Sequence, residues 1–287
     1  MAQTSQKDIA VVIVSWNVRD ILLNNLEALS KSRGVTFEII VVDNRSKDGT
    51  IDVIGSDFPE VKVIANTANH GFSKACNQGI DASNARHVLL LNPDMVVNVD
   101  ALAKTVEYLD AHPNVAVVSG KLINKHGKPI HHFRRFPTIG DQLVIMFKLG
   151  KLFPRLLDKY HAVDLNPDHE QSVDTVRGSY FAINRTALDT IGKLDERYYI
   201  WFEEVDYCMR VHSHKMKVMY VPTIIAHDLS NLVGQSFKQR SLVWKQTHFM
   251  RSMLLYFKKW HPGWRVWVIR AGRPIVLAVS VIADKLI

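Results

Sequence analysis

Cysteine is scarce in this chain: Cys76 and Cys208 are the only two among 287 residues, and they stand far apart. That excludes a disulfide framework or a clustered zinc site and points to a reducing, cytosolic compartment. Several signatures of cofactor and hydrolytic chemistry are missing as well. The chain contains no G-x-G-x-x-G, no G-x-x-x-x-G-K-[ST], no H-E-x-x-H and no serine nucleophile elbow. Dinucleotide oxidoreductases, P-loop NTPases, zincins and α/β-hydrolases therefore lose most of their support. No apolar run approaches the roughly 20 residues of a membrane span. The run Ile9–Val14 behind the polar start MAQTSQKDIA is also too short for a secretion signal. Internal repeats and low-complexity segments are absent. Acidic residues are outnumbered, 28 against 36 basic, and the resulting charge of +8 favours anionic partners. No nucleic-acid-binding module accompanies that charge, so nucleic acid is not an expected partner.

What is present is a large apolar fraction, 47%, in regularly spaced runs. Residues 9–16, 37–43, 61–66, 86–92 and 115–120 read as strands. Residues 19–32, 47–58, 72–83 and 99–113 read as helices or turn-helix units between them. The strand runs are continuously apolar rather than alternating, as in strands covered on both faces. Such repetition predicts an α/β fold with a doubly wound, mostly parallel sheet. From 121 to about 172 the pattern dissolves into a basic, His-rich stretch followed by a helix expected near 139–158. Regular texture returns after Ser172, and a final helical region occupies 238–260.

Polar clusters punctuate the strand ends. Ser15-Trp16-Asn17 closes the first strand and Asp43-Asn44-Arg45-Ser46 the second. Asn69-His70-Gly71-Phe72 opens a helix after the third, and Asn92-Pro93-Asp94 ends the fourth. Each alone reads equally as a polar turn. Four at one sheet edge suit a ligand crossing several strands. A carboxylate at a strand tip can accept from a base N–H or a ribose hydroxyl, and a glycine turn before a helix offers N–H groups to phosphate. Asp94 suits a divalent cation. Farther on, "WFEEVDYCMR" sets three carboxylates within four residues of a predicted helix. Glu203 and Asp206 share a face, Asp206 and Arg210 can pair at i, i+4, and Glu204 points elsewhere, free to face a cleft. The same residues would also complement a helix dipole. His227 stands at another expected strand end, as a ligand or as a structural histidine.

The stretches "VVIVSWN", "IIVVDNRSKDGT", "NHGFSKACNQGI", "LLLNPDM", "RGSYFAINRTALDTIGKLDERYYIWFEEVDYCMR" and "AHDLS" together resemble family 2 inverting glycosyltransferases of GT-A fold, most closely their bacterial rhamnosyltransferase-like branch. The resemblance implies a GT-A-type nucleotide-diphospho-sugar transferase fold, a Rossmann-like, mostly parallel sheet with C-terminal helices. Residues 1–235 would form the catalytic domain, with a nucleotide-binding half to 120 and an acceptor and catalytic half from 121. Residues 236–287 would form a helical, membrane-associated region. It implies a nucleotide site of Ser15, Asn17, Asp43, Asn44, Ser46, Asn69, Gly71, Phe72, Lys74, Asn77 and Asn92. It implies Asp94 and His227 as ligands of Mg2+ or Mn2+, with Asn92 standing where the family's metal motif often has an Asp. Glu204 is the implied catalytic base with Glu203 as runner-up, and Arg177, Gly178, Trp201 and Asp206 are implied near the acceptor or donor sugar.

The activity so implied is transfer of a sugar, with rhamnose from dTDP-rhamnose the leading donor, to a lipid-linked or saccharide acceptor in cell-surface polysaccharide synthesis. A UDP-hexose or galactofuranose donor is the rival within the class, and a non-catalytic nucleotide-sugar-binding protein the rival outside it. Lys125, His126, Lys128, His131, His132, Arg134 and Arg135, with the Lys/Arg-bearing helix at 238–259, read as solvated faces or as a contact to anionic headgroups. "YFKKWHPGWRVWVIRAGRPIVLAVSVIA" mixes Trp, Lys/Arg and aliphatics as interfacial helices do. The expectation is peripheral attachment to the cytoplasmic face of a membrane.

Overall fold

The computed structural model describes residues 6–229 and 240–286. The first four strands, β1 (Ile9–Ser15), β2 (Phe37–Asp43), β3 (Lys62–Ala65) and β4 (His87–Leu91), lie parallel in the order β3-β2-β1-β4. Helices α1 (Arg19–Ser30), α2 (Thr50–Asp57) and α3 (Phe72–Asp81) make the crossovers. Alternate residues of the apolar runs feed two different cores. Ile9, Val11, Ile13, Leu89 and Leu91 enter one, and Val12, Val88 and Leu90 the other. Burial on both faces explains the unbroken runs. Strand order reverses between β1 and β4, so a crevice opens at the carboxyl ends of these strands.

Beyond β4 the sheet is mixed, within the mostly parallel arrangement expected. A short β5 (Met95–Val97) and α4 (Ala101–Ala111) precede β6 (Val115–Asn124), which does not pair with β4. After the two-residue strands β7 (Pro129–Ile130), β8 (Phe133–Arg134), β9 (Gln171–Ser172) and β10 (Thr175–Val176) comes β11 (Tyr180–Asn184). It inserts antiparallel between β4 and β6. Last in the sheet, β12 (Lys217–Asp228) runs parallel to β6 and antiparallel to β5. Its register breaks between Val221 and Ile225, where Pro222 withholds a ladder donor. Gly120 admits the bulge, since a Cβ there would stand 2.4 Å from the Ile224 carbonyl.

The helix expected near 139–158 is only α5 (Ile139–Met146), started by a capping box between Thr138 and Asp141. Lys148 turns left-handed, and Pro154 forces Phe153 out of helical geometry. Two short 3-10 turns, Leu149–Lys151 and Pro154–Leu157, follow instead. Helices α6 (Arg185–Ile191) and α7 (Glu203–Ser213) flank the sheet. The C-terminal pair is α8 (Leu242–Trp260), capped by Ser241, and α9 (Trp264–Leu286). A third core holds α5, α8 and α9 against the chain entering α7 through Met146, Tyr198, Phe202, Met253, Tyr256 and Val276. Ser230, the expected start of the last helical region at 238 and the boundary between 235 and 236 lie outside the described residues. Among the described residues no helix is long and apolar enough to cross a membrane.

Candidate active site

Strand register sets the nucleotide end of the crevice. Ser15 pairs with Asp43, and Asp43 with Ala65, so these tips share one edge. Asp43 is fully buried; its Oδ1 accepts from the Ser46 N–H at 2.7 Å, and its Oδ2 lacks a protein partner among the described residues, as does the Ser15 hydroxyl. A buried carboxylate oxygen without a donor is costly unless a ligand supplies one. The loops after β1 and β2 clasp each other. The Asn17 N–H donates to Ser46 Oγ at 2.8 Å, and Asn17 Oδ1 accepts from the Lys47 N–H at 2.6 Å.

Asn44 Nδ2 donates to the Gly71 carbonyl at 3.1 Å, while Asn44 Oδ1 accepts from Asn66 at 3.0 Å. Gly71 takes φ +85°, and a Cβ there would lie 2.5 Å from the Tyr199 carbonyl oxygen. That same oxygen accepts from the Phe72 N–H at 2.7 Å, and the Tyr199 hydroxyl donates to Asn69 Oδ1 at 2.9 Å. Glycine is thus required where the segment opening α3 docks on the 199–201 loop. A cleft of about 470 Å3, open to solvent, lies here between Trp16, Asn44, Asn69, Gly71, Phe72 and the later residues Tyr199, Arg240 and Trp244. The Arg240 guanidinium lies 4.5 Å from the Trp16 ring centre and 5.1 Å from that of Trp244. Tyr199, Arg240 and Trp244 are cleft residues that sequence reading missed, because only the fold brings them to the β1 tip.

One nucleotide-site expectation changes. Asn77 is buried and spent inside the fold: its amide donates to the Leu194 carbonyl and Glu196, and its Oδ1 accepts from the Leu194 N–H. It ties α3 to the 194–196 turn instead of facing a ligand. Lys74 stands exposed on the same helix.

At the β4 tip, the Asn92 N–H donates to the Ser179 carbonyl at 3.0 Å, and Asn25 caps the Asn92 carbonyl at 3.1 Å. Asp94 is 7% exposed, its Oδ1 has no partner among the described residues, and its pKa is pushed up to about 6 by burial and by Asp228. His227 Nε2 lies 3.1 Å from Asn98 Oδ1 and pairs in register with Val96. Asp228 is the neighbouring carboxylate whose charge acts on Asp94; it is bound by Arg177 Nη1 at 2.7 Å. Among the described residues no cluster of three or more His, Cys, Asp or Glu assembles to hold a metal. Two adjacent carboxylates, one with an orphaned oxygen, nonetheless fit a hard cation whose remaining ligands come from diphosphate and water.

The acidic helix completes the site. Trp201 and Phe202 enter α7 with φ of 65° and 68°, two consecutive bulky residues in the left-handed region. That conformation is strained and persists only where the surroundings impose it. Packing of Trp201 on Trp244 and Phe249 and of Phe202 on Tyr256 supplies the constraint. The turn delivers Glu203 and Glu204 into the first helical turn, each with an Oε2 lacking a partner among the described residues. Burial raises both pKa values; the charge of Glu204 raises Glu203 further, while Arg134 and Arg177 hold Glu204 lower. Of the two, Glu204 is the one whose ionised form the arginines favour. Gly178 lies directly against it, with its Cβ position 3.8 Å from Glu204 Cβ.

Asp206, expected near a sugar, is instead fully buried in a structural network. It accepts from Trp260 Nε1 at 2.8 Å, from Lys259 Nζ at 2.9 Å and from Arg210 Nε at 3.1 Å. Lys259 and Trp260 fasten α7 to α8, Arg210 pairs with Asp206 inside α7, and the Tyr198 hydroxyl donates to it as well.

The glycosyl transferase family 2 model matches residues 10–191. The chain belongs to glycosyltransferase family 2. The low-salt glycan biosynthesis hexosyltransferase Agl10 of Haloferax volcanii is 28% identical over 75% of this chain, which spans 65% of that protein's own length. The N-acetylglucosaminyl-diphospho-decaprenol L-rhamnosyltransferase of Mycobacterium tuberculosis is 24% identical over 78% of this chain and 77% of its own. Rhamnosyltransferase WbbL of Escherichia coli is 23% identical over 82% of this chain and 88% of its own. Among solved structures, the Pyrobaculum calidifontis mannosyltransferase in complex with GDP-Man and Mn2+ superposes with TM-score 0.61 and 14% identity, over 98% of this chain and 74% of that one. GalNAc-T7 with UDP, GalNAc and Mn2+ superposes with TM-score 0.59 and 16% identity, over 90% of this chain and 55% of that one. The family-2 chain thus has the GT-A fold, its central sheet largely parallel.

Proposed function

We propose that this glycosyltransferase moves a sugar, best matched by rhamnose from dTDP-rhamnose, from a nucleotide diphosphate donor to a lipid-linked or saccharide acceptor, inverting the anomeric carbon. One observation carries the reading: Asp43 at the β2 tip, Asp94 after β4, and Glu203 and Glu204 in the first turn of α7 each keep a buried carboxylate oxygen without a partner among the described residues. Asp43 and Ser15 take the base end of the nucleotide, with the clasped loops of Asn17 and Ser46 fixing their spacing. The stack of Trp16, Arg240 and Trp244 walls the same cleft. Glu204 accepts the proton of the acceptor hydroxyl as that oxygen attacks the anomeric carbon from the face opposite the diphosphate. Burial raises both carboxyls, Arg134 and Arg177 oppose the rise at Glu204, and the charge of Glu204 adds to it at Glu203, which favours Glu204 as the base. Asp94 and Asp228 would hold the divalent cation, which when bound supplies positive charge to the leaving diphosphate. The rhamnosyl reading is supported by the mycobacterial and Escherichia coli relatives, and a lipid diphosphate acceptor by the mycobacterial one.

Release of nucleoside diphosphate from a panel of nucleotide sugars, with and without Mn2+ or Mg2+, tests this. The expected result is turnover with dTDP-rhamnose above UDP-hexoses. Turnover with a UDP-hexose or galactofuranose donor alone would replace the sugar. Tight nucleotide binding without turnover of any donor would reject catalysis. Asp94→Asn should remove the divalent-ion response of nucleotide binding, and an unchanged response would remove the cation from Asp94.

A further inference from the structure

We propose that the outer face of α9 and the turns at 147–157 form one docking surface for an anionic lipid bilayer. Among the described residues, ten of the twelve exposed large hydrophobics fall in these two segments. Leu152 is 72% exposed and Phe153 58%; on α9, Trp264 is 59% exposed and Trp267 67%. The stripe continues along α9 through Ile275, Val279 and Ile282, all exposed. Its opposite face, Val266, Ile269, Gly272 and Val276, is buried against the protein. A helix on a water-facing surface carries polar residues outside; one that is apolar all round is covered on both sides.

The two segments are contiguous. A Cβ on Gly272 would stand 2.5 Å from Met146 Cε, and Phe147 lies 3.5 Å from the same point. α9 therefore rests on the end of α5, where the turns begin. This juxtaposition is invisible in the sequence, where the turns read as the continuation of a helix.

Charge selects the occupant. From Arg240 to Ala283 there are eight Lys and Arg and no Asp or Glu, and Lys148, Arg155 and Lys159 accompany the turns. Arg265 and Arg270 lie beside Trp264 and Trp267, at 5.2 Å from the ring centre in each case. Tryptophan and arginine around an aliphatic face match the headgroup region of an anionic bilayer. A second copy of this chain would bring the same cationic rim against itself. The surface is also fixed to the catalytic helix, since one core joins Val276 of α9 and Met146 of α5 to Phe202, which precedes Glu203. A lipid-borne acceptor would then meet Glu204 from the bilayer side; that consequence rests on the transferase reading, whereas the bilayer contact does not.

Flotation of the full chain with vesicles of equimolar phosphatidylglycerol and phosphatidylcholine, against phosphatidylcholine alone, tests the surface. The native chain should float with the anionic vesicles and far less with the neutral ones. Leu152→Glu/Phe153→Glu/Leu156→Glu and, separately, Trp264→Glu/Trp267→Glu should each weaken partitioning at least about tenfold, with circular dichroism and nucleoside diphosphate release unchanged. Flotation of either variant at native strength would overturn the joint surface, as would a native chain that ignores anionic vesicles. A dimer that these substitutions convert to monomer, read by sedimentation, would assign the face to a second copy. Should either variant not fold, fluorescence quenching of the native chain by brominated anionic lipid reads the same contact, and unquenched tryptophan overturns it. Intact flotation without turnover of any nucleotide sugar would reject the transferase reading and leave the surface standing.

Discussion

The two ends of the crevice are held in opposite ways. At the nucleotide end, polar side chains spend their hydrogen bonds on one another: Asn17 with Ser46 and Lys47, Asn44 with Asn66 and Gly71, Asn69 with Tyr199. At the acceptor end, Asp94, Glu203 and Glu204 keep buried oxygens without partners among the described residues, as Asp43 and Ser15 also do at the nucleotide end, and the consecutive aromatic residues Trp201 and Phe202 hold strained backbone. Satisfied networks rigidify a site, whereas buried uncompensated charge and strain collect where chemistry occurs. On the proposed function, the donor end is a largely preformed mould, and the acceptor end combines the paired carboxylates Glu203 and Glu204 with strained backbone.

The largest effect expected from breaking this division is on turnover. Glu204→Gln should lower kcat by about 10^2- to 10^4-fold, the range for loss of a general base. Donor binding, read by calorimetry with a nonhydrolysed analogue, should change little, because the mould lies elsewhere. A deeper loss from Glu203→Gln than from Glu204→Gln would move the base to Glu203. Next in size is the anchor behind the acceptor end. Asp206→Ala removes the buried carboxylate shared by Arg210, Lys259 and Trp260, leaving, among the described residues, only carbonyl partners to Arg210 and only Asp195 to Lys259. Removing one partner of a buried charge network typically costs about 3–5 kcal/mol, measurable by urea unfolding. A loss near zero would mean that α8 is held by its apolar face alone.

At the donor end, Gly71→Ala puts a methyl group 2.5 Å from the Tyr199 carbonyl at a φ of +85°. The left-handed backbone costs an alanine roughly 1–2 kcal/mol and the overlap a similar amount. A loss of about 2–4 kcal/mol is expected, together with weaker donor binding, since the 199–201 loop has to retreat. An alanine variant that binds the donor normally would show this end to be adaptable rather than preformed.

The same contrast decides how much of the molecule is legible in sequence. Strands buried on both faces leave unbroken apolar runs, so β1 to β4 and the residues at their tips are visible without coordinates. The insertion of β11 between β4 and β6 is not. "YFAIN" is a short apolar run like its neighbours, and its place is set by contacts far away in the chain. At the β12 end two neighbouring residues take different partners: Asp228 binds Arg177 and its charge acts on Asp94, while His227 turns to Asn98, and no local pattern fixes that division. The i, i+4 spacing of Asp206 and Arg210 does foretell their ion pair, but Lys259 and Trp260 join it from a helix fifty residues later.

The smallest effect expected is a slope in stability against pH. Burial and the charge of Glu204 raise the Glu203 pKa well above the usual carboxylate value. The folded state therefore holds a proton that the unfolded chain releases near the ordinary value, so between those two values the native form binds more protons. Stability then falls as pH rises, by at most about 1.4 kcal/mol per pH unit for one group. The stabilisation is fully present below the unfolded value and is lost as pH climbs through the folded one. Glu203→Gln keeps the shape and removes the titration, so its unfolding midpoint should decline less with rising pH than that of the native chain. Because Glu204 titrates beside it, the double variant Glu203→Gln/Glu204→Gln should flatten the profile further. Parallel profiles for the native chain and Glu203→Gln would mean that Glu203 is already ionised at neutral pH, and the division of roles between the two carboxylates would then fail.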